Sequence, residues 1–343
     1  MLEELQATVD GQLHLDLPTR LVFSRDGSFE RIVPSGVFRP ASKIDLQKLL
    51  PLVASRHVPM AVRGGGTGRT GGCLTRGLVI DLGATLNRIH FDPKTNTVDV
   101  EAGATVAAIE QALNPVGRTL GFPPEWHSRS IGGIFASTSP DYTPGPWRDL
   151  FQSLLSWTFL FSEGLTYTFS NQAGPNQGLG EIPEFWGQRI AMIESASADW
   201  LKNRLSWCGL PGPRFNPAMK RHGGNAVGVL AGGLGQTGIL LDARLETVET
   251  EQRFFTGLIA FGDLPTALDF LGQAVREHGV AATLYERRQV RSALHHFSEP
   301  WLDWADEAGE WLALLGSPPG AFSDWHFLNS VPAHRRWTAA GES

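Results

Sequence analysis

Residues 59–82, which read PMAVRGGGTGRTGGCLTRGLVIDL, constrain the fold more than any other stretch of the chain. Six of the nine residues from Gly64 to Gly72 are glycine, with an apolar run before them at 59–62 and another after them at 77–82. Consecutive glycines adopt backbone angles closed to other residues and let several amide N–H groups point into one concavity, which suits an anion such as a phosphate. A lone glycine triplet reads as a tight turn. Six glycines with Thr67 and Thr70 interleaved read as a binding loop. The cluster holds Gly66-x-Gly68-x-x-Gly71, and a second formal copy lies at Gly233-x-Gly235-x-x-Gly238. A dinucleotide fingerprint needs a helix after its glycines, with the helix N-terminus facing the pyrophosphate. Strand-like segments, 78–82 and 239–245, follow instead, so both copies are rejected as Rossmann motifs and a nicotinamide enzyme on that fold is disfavoured. No Lys-Ser/Thr pair follows the glycines, which removes the P-loop as well.

The rest of the 343 residues alternate between short strand and helix signals. Ile44, Leu46, Leu49, Leu50 and Val53, behind a plausible N-cap at Ser42, predict a helix over 41–56 that contains Pro51. Residues 88–92 and 97–101 read as strands joined by a P-K-T-N turn, 105–113 as a helix, and 151–167 as a buried hairpin turning at Glu163-Gly164. Two further glycine and small-residue blocks occur. One is 121–139, GFPPEWHSRSIGGIFASTS, in which Gly132-Gly133 open the backbone and Ala136 and Ser137 leave room for a flat polar heterocycle; the other is 223–245. Residues 254–261, 264–278 and 280–285 give strand, helix, strand, as at the start of a separate small domain, and the Trp-rich tail 301–343 shows no clear periodicity. The pattern is α+β and not a repeated βαβ unit.

Composition narrows the function. A formal net charge of −6 provides no broad positive field for nucleic acid. The two cysteines, Cys73 and Cys208, form no C-x-x-C, so a zinc ribbon or a cysteine-ligated iron–sulfur cluster lacks its ligands, and a reduced cytoplasmic chain is expected. No segment reaches the ~18 apolar residues of a membrane span, and the acidic start is no secretory signal, so no integral membrane segment is expected.

In this order, the three blocks resemble the FAD-binding domain of the vanillyl-alcohol-oxidase and p-cresol-methylhydroxylase (PCMH) flavoprotein superfamily, especially its D-lactate dehydrogenase and glycolate oxidase branch. The matching elements are Arg63 to Gly72, a strand ending in Asp81, Phe122 to Pro124, Ile131 to Ser137 with its I-G-G, and Gly232 to Ile239. The resemblance implies a two-subdomain PCMH-type FAD-binding domain over 35–250, with an apparent insertion at 171–215. Residues 1–34 would be an N-terminal extension, and 251–343 a partial α+β, ferredoxin-like substrate cap. It also implies noncovalent FAD. The amides of Gly64, Gly65, Gly66, Thr67 and Gly68 would cradle the pyrophosphate, and Gly71 and Gly72 would complete the turn. Pro123, Ser130, Gly132, Gly133 and Ser137 would line the flavin and ribityl chain, and Ile239 would sit at the adenine end.

The third block departs from the family's G-S-E-G-T-L-G at Gly233, Leu234, Gln236 and Thr237, and the family's late glycine/aspartate/histidine motif has no counterpart. The nearest architecture is the short FAD subunit of multisubunit glycolate oxidase, which works beside an iron–sulfur subunit. The implied activity is oxidation of a small 2-hydroxy acid, glycolate or D-lactate in type, with electrons passed to an iron–sulfur partner. The alternative is a non-catalytic FAD-binding or assembly subunit. Arg221, with Arg287 and Arg288 as rivals, is the candidate for the substrate carboxylate, since a guanidinium pairs with it in a bidentate manner; otherwise these are solvated charges. His222, then His127, is the candidate base. The adjacent His295-His296 pair has poor geometry for a shared metal, and the tryptophans read as core.

Overall fold

The computed structural model describes residues 5–123, 126–137, 148, 150–170, 230–233, 235–236, 238–250, 255–278, 281–294, 309–317 and 336–338. The chain divides into two compact units. The first comprises Met1–Phe122, Trp126–Pro140 and Asp149–Glu249; the second comprises Pro123–Glu125, Asp141–Arg148 and Thr250–Ser343.

The first unit is built on two sheets. One contains β1 (Gln12–His14), β2 (Gly36–Arg39), β3 (Met60–Arg63) and β4 (Leu78–Asp81) in the order β1-β2-β4-β3. Strands β2, β4 and β3 are parallel to one another, and β1 is antiparallel to β2. Buried on both faces, β4 is the continuous apolar run expected of a parallel strand. The second sheet is antiparallel, with β5 (Ile89–Asp92), β6 (Thr97–Glu101), β8 (Leu154–Leu160), β9 (Thr166–Ser170) and β10 (Ile239–Glu246) in the order β5-β6-β10-β8-β9. A short ribbon pairs β7 (Arg118–Thr119) with β11 (Val248–Glu249).

Five helices accompany these strands: α1 (Leu17–Val22), α2 (Lys43–Ser55), α3 (Val106–Leu113), α4 (Ile131–Ala136) and α5 (Leu150–Ser153). Helix α2 turns Leu46, Leu49, Leu50 and Val53 inward as one stripe into the core that also holds Phe38, Ile80, Val98, Ile109 and Phe159. Ser42 occupies its N-cap position without a side-chain cap bond. Asp45, fully buried in the first turn, accepts instead from the amides of Ala41 (2.7 Å) and Asp10 (2.9 Å). Pro51 inside the helix cannot donate to the Gln47 carbonyl. The β8–β9 turn docks there: Gly164, at φ 83°, comes so close that a Cβ would lie 2.5 Å from the Gln47 oxygen and 2.9 Å from the Pro51 ring. Only glycine fits that turn.

The second unit places β12 (Phe255–Phe261), β13 (Ala281–Glu286), β14 (Trp311–Ser317) and β15 (Arg336–Thr338) in an antiparallel sheet ordered β13-β14-β12-β15. Ala267 and Leu271 of α6 (Leu264–His278) close a core with Ile259, Phe261, Ala313 and Leu315. Helix α7 (Arg287–Leu294) follows β13 directly. The α+β class and the strand, helix, strand reading of 254–285 agree with this architecture. Two expectations need correction. The tail contains an ordered central strand, β14, where the sequence shows no periodicity, and Gly132 and Gly133 lie within helix α4 and do not open the backbone.

Candidate functional site

The site forms where the parallel strands end. Register pairs Arg63 of β3 with Asp81 of β4 and Phe38 of β2 with Ile80, so Arg39, Asp81 and Arg63 finish at one edge, the carboxyl end at which open parallel sheets bind ligands. Parallel neighbours require a long crossover, usually a helix. Between β3 and β4 the crossover is the glycine loop itself, residues 64–77. A strand follows it, as the rejection of the Rossmann fingerprint requires.

Close packing explains the glycines one by one. A Cβ on Gly64 would overlap the Ser130 hydroxyl, and one on Gly65 would overlap the Ser128 carbonyl oxygen. Gly66 and Gly71 adopt the left-handed angles φ 66° and φ 73°. The first and second blocks of the sequence therefore meet face to face. Gly83, beyond β4, lies against the Gly64 carbonyl, 3.5 Å from where its Cβ would stand. Among the described residues, the amides of Gly64, Gly65, Gly66, Thr67 and Gly68 donate to no protein acceptor, and Gly65, Thr67 and Gly68 are exposed. A run of unspent donors on a loop too close-packed for side chains is a cradle for an anion. The pyrophosphate of a flavin dinucleotide fits this donor set, and these residues would hold it.

The second block behaves differently. Ser130 is buried and caps α4 through its hydroxyl, which accepts from the Gly133 amide at 3.2 Å. The amides of Ile131 and Gly132 donate to the carbonyls of Ala104 (3.0 Å) and Ala102 (2.8 Å). These bonds pin the helix to the end of β6. Gly132 and Gly133 consequently have no amide left for a ligand, although Gly133 is exposed and half-buried Ser137 ends the helix. The third block joins the second through Gly232, whose amide donates to the Phe135 carbonyl at 2.9 Å. Gly238, at φ 147°, then brings the chain against Leu160, and Ile239 is buried at the start of β10. Pro123 is buried and belongs to the second unit.

Charge at the strand ends is largely matched. Arg39 donates to buried Asp81 at 3.0 Å. Arg63 curls back over its own loop: its guanidinium lies against Gly66, donates to the Arg25 carbonyl at 2.6 Å and stacks 5.2 Å above the Phe23 ring. Cys73 lies 3.8 Å from the same guanidinium and donates to Asp26 at 3.6 Å. Burial pushes the Cys73 thiol up, and neighbouring Asp26 adds to this, against the opposing pull of Arg63. At pH 8 Cys73 is expected to react with iodoacetamide several-fold more slowly than free glutathione, because little thiolate is present. Mass spectrometry of the labelled peptide reads that rate.

Arg221, His222 and the His295-His296 pair lie outside the described residues. His127 is exposed, Arg287 is half-buried, and Arg288 is exposed with Glu286 3.3 Å away. The last two arginines belong to the second unit. Among the described residues no cluster of three or more metal-ligating side chains occurs, and no helix is long and apolar enough to cross a membrane. Phe23, Asp26 and Gly27, which touch the loop, went unread in the sequence; the Asp-Gly turn pair at 26–27 was their visible signal.

A glycine crossover with unspent amides, packed against a capped small-residue helix on a two-sheet α+β unit, defines a dinucleotide-phosphate-binding protein without a Rossmann helix. Residues 34–170 match the model of the FAD binding domain family. Residues 34–170 are thus the part of the chain that reads as an FAD binding domain. It is similar to D-2-hydroxyglutarate dehydrogenase of Pseudomonas putida, at 32% identity over 149 residues, 40% of this chain and 15% of that one. It is also similar to glycolate oxidase subunit GlcD of Bacillus subtilis, at 30% identity over 118 residues, 34% of this chain and 25% of that one. The aligned part spans a quarter or less of these relatives. Among solved structures, alkyldihydroxyacetonephosphate synthase aligns with a TM-score of 0.67 at 15% identity, over 100% of this chain and 61% of that chain. The 4-ethylphenol oxidase of Gulosibacter chungangensis aligns with a TM-score of 0.65 at 16% identity, covering 98% and 64%. These last two likenesses concern the fold.

Proposed function

We propose that the chain is an FAD-linked oxidoreductase that dehydrogenates a small 2-hydroxy acid to the 2-oxo acid, with FAD held noncovalently and its pyrophosphate on loop 64–72. The observation carrying this reading is the row of unspent amides from Gly64 to Gly68, of which Gly65, Thr67 and Gly68 are exposed. The names of the relatives, D-2-hydroxyglutarate dehydrogenase and glycolate oxidase subunit, support the substrate class. Bound FAD supplies two-electron redox chemistry, and the protein supplies binding and orientation. Arg221 is assigned to the substrate carboxylate and His222 to the hydroxyl proton, on the resemblance of the third block. An iron–sulfur protein is assigned as electron acceptor on the likeness to the short FAD subunit of multisubunit glycolate oxidase, and a cytoplasmic location goes with that reading.

Purified protein incubated with FAD and desalted is expected to absorb between about 350 and 500 nm and to release all its flavin on denaturation. Anaerobic addition of D-2-hydroxyglutarate, glycolate or D-lactate is expected to bleach that absorbance. A colourless product that takes up no FAD sinks the reading. Flavin that binds but is bleached by none of the three acids leaves the chain as a binding subunit.

A further inference from the structure

We propose that the segment 24–32, which lies before the FAD-family match, is a positioning element that sets which way the amides of the glycine loop point. The proposal rests on loop 64–72 being the FAD site and adds residues that neither the family match nor the sequence motifs include.

Segment 24–32 is a closed structure of its own. The Ile32 amide donates to the Ser24 carbonyl at 2.9 Å, and the Ser28 amide donates to Asp26 at 2.8 Å. Its other end is tied across the sheet, where Ser35 donates to the Arg76 carbonyl at 2.7 Å and Arg20 donates to the Pro34 carbonyl at 2.6 Å. The segment therefore has shape before it touches the loop. Together with Phe23 just before it, the segment then meets Arg63 and the loop at four contacts. Phe23 lies beneath Arg63, with Arg39 on the same ring at 5.9 Å. Arg63 Nη1 is anchored on the Arg25 carbonyl, and Asp26 takes the Cys73 thiol.

The contact at Gly27 bears on amide direction. From the position of a Cβ on Gly27, the Thr67 oxygen is 2.9 Å away and the Gly68 oxygen 3.0 Å, while the Thr67 carbonyl carbon is 3.4 Å away. Both carbonyl oxygens thus crowd the Gly27 position. No peptide bond among the described residues is cis, and across a trans peptide the N–H of the next residue points opposite to the C=O. The place of these two oxygens therefore sets the peptide planes that carry the Gly68 and Arg69 amides. Gly27 works by having no side chain: any Cβ there pushes both carbonyls, and with them both amides, out of line.

The test uses the full chain on a Cys208→Ser background, with Gly27→Val, Asp26→Ala and the conservative Asp26→Asn compared against the parent. FAD affinity is read by quenching of flavin fluorescence, and positioning of the loop by the alkylation rate of Cys73 without FAD. Gly27→Val is expected to weaken FAD binding by about thirtyfold or more, and Asp26→Ala by about five- to tenfold, with Asp26→Asn recovering part of that loss. Both Gly27→Val and Asp26→Ala are expected to speed Cys73 alkylation several-fold at unchanged circular dichroism. Once saturated with FAD, the variants are expected to bleach with substrate at the parent rate, since the effect falls on binding and not on chemistry. Parent-like FAD affinity and parent-like Cys73 reactivity in folded Gly27→Val overturn the proposal; should that variant fail to fold, the same result in Asp26→Ala does so. A parent that binds no FAD overturns the functional reading instead, while the Cys73 rates still report on the grip.

Discussion

Gly64→Ala is expected to lower FAD affinity more than a hundredfold while leaving the sheet intact. The added methyl would overlap the Ser130 hydroxyl and stand 2.7 Å from the Ser130 Cβ, inside any real carbon–carbon contact. Ser130 cannot yield cheaply, since it is 1% exposed and its hydroxyl caps α4. Rotating the hydroxyl away would cost the cap, about 1 kcal/mol, and still leave the carbon–carbon overlap, so the loop gives way and its amides leave their common direction. The partner experiment is the double variant Gly64→Ala with Ser130→Gly, which removes both offending atoms. A cycle over the four proteins, read as FAD dissociation constants, is expected to show positive coupling, with the double variant binding tighter than Gly64→Ala alone. Additive losses would mean that the two blocks do not share one surface.

The second large effect concerns stability. Asp45→Ala removes the acceptor of two backbone amides, Asp10 and Ala41, at a site with no access to water. Hydrogen bonds to a charged group contribute about 1.5–3 kcal/mol each, and the orphaned amides then bear their own desolvation cost. A loss of about 3–5 kcal/mol is expected, read as a shift of the urea midpoint of the first unit. Asp45→Asn keeps one carbonyl oxygen and is expected to lose about half as much. If Asp45→Ala melts like the parent, the N-terminal strand is not fastened through this residue.

The loop was legible because its reason is local. Glycines recur where the chain must approach Ser128 and Ser130 or turn through positive φ, and a strand visibly follows them. The α2 stripe and the hairpin turn at Gly164 were legible on the same terms, through periodicity and turn chemistry. Helix α4 was not. Gly132 and Gly133 are poor helix formers, and what makes them helical is distant in sequence: carbonyls of Ala102 and Ala104 that receive the first amides. Strand β14 was missed because it is central, paired with β12 on one side and β13 on the other, so WLALLGS shows no alternation to read. Phe23, Asp26 and Gly27 escaped for a third reason. Their partners lie 38–47 positions along the chain, and the Asp-Gly pair at 26–27 signals a turn but not what the turn packs against.

The crossover between β3 and β4 has one more implication. On the proposed placement of FAD, the cofactor's anchor is also the covalent link that lets two parallel strands lie side by side, so occupancy and folding draw on the same free energy. Ligand at a hundred times its dissociation constant adds about 2.7 kcal/mol to the state that binds it. Added flavin is therefore expected to slow proteolysis of this chain.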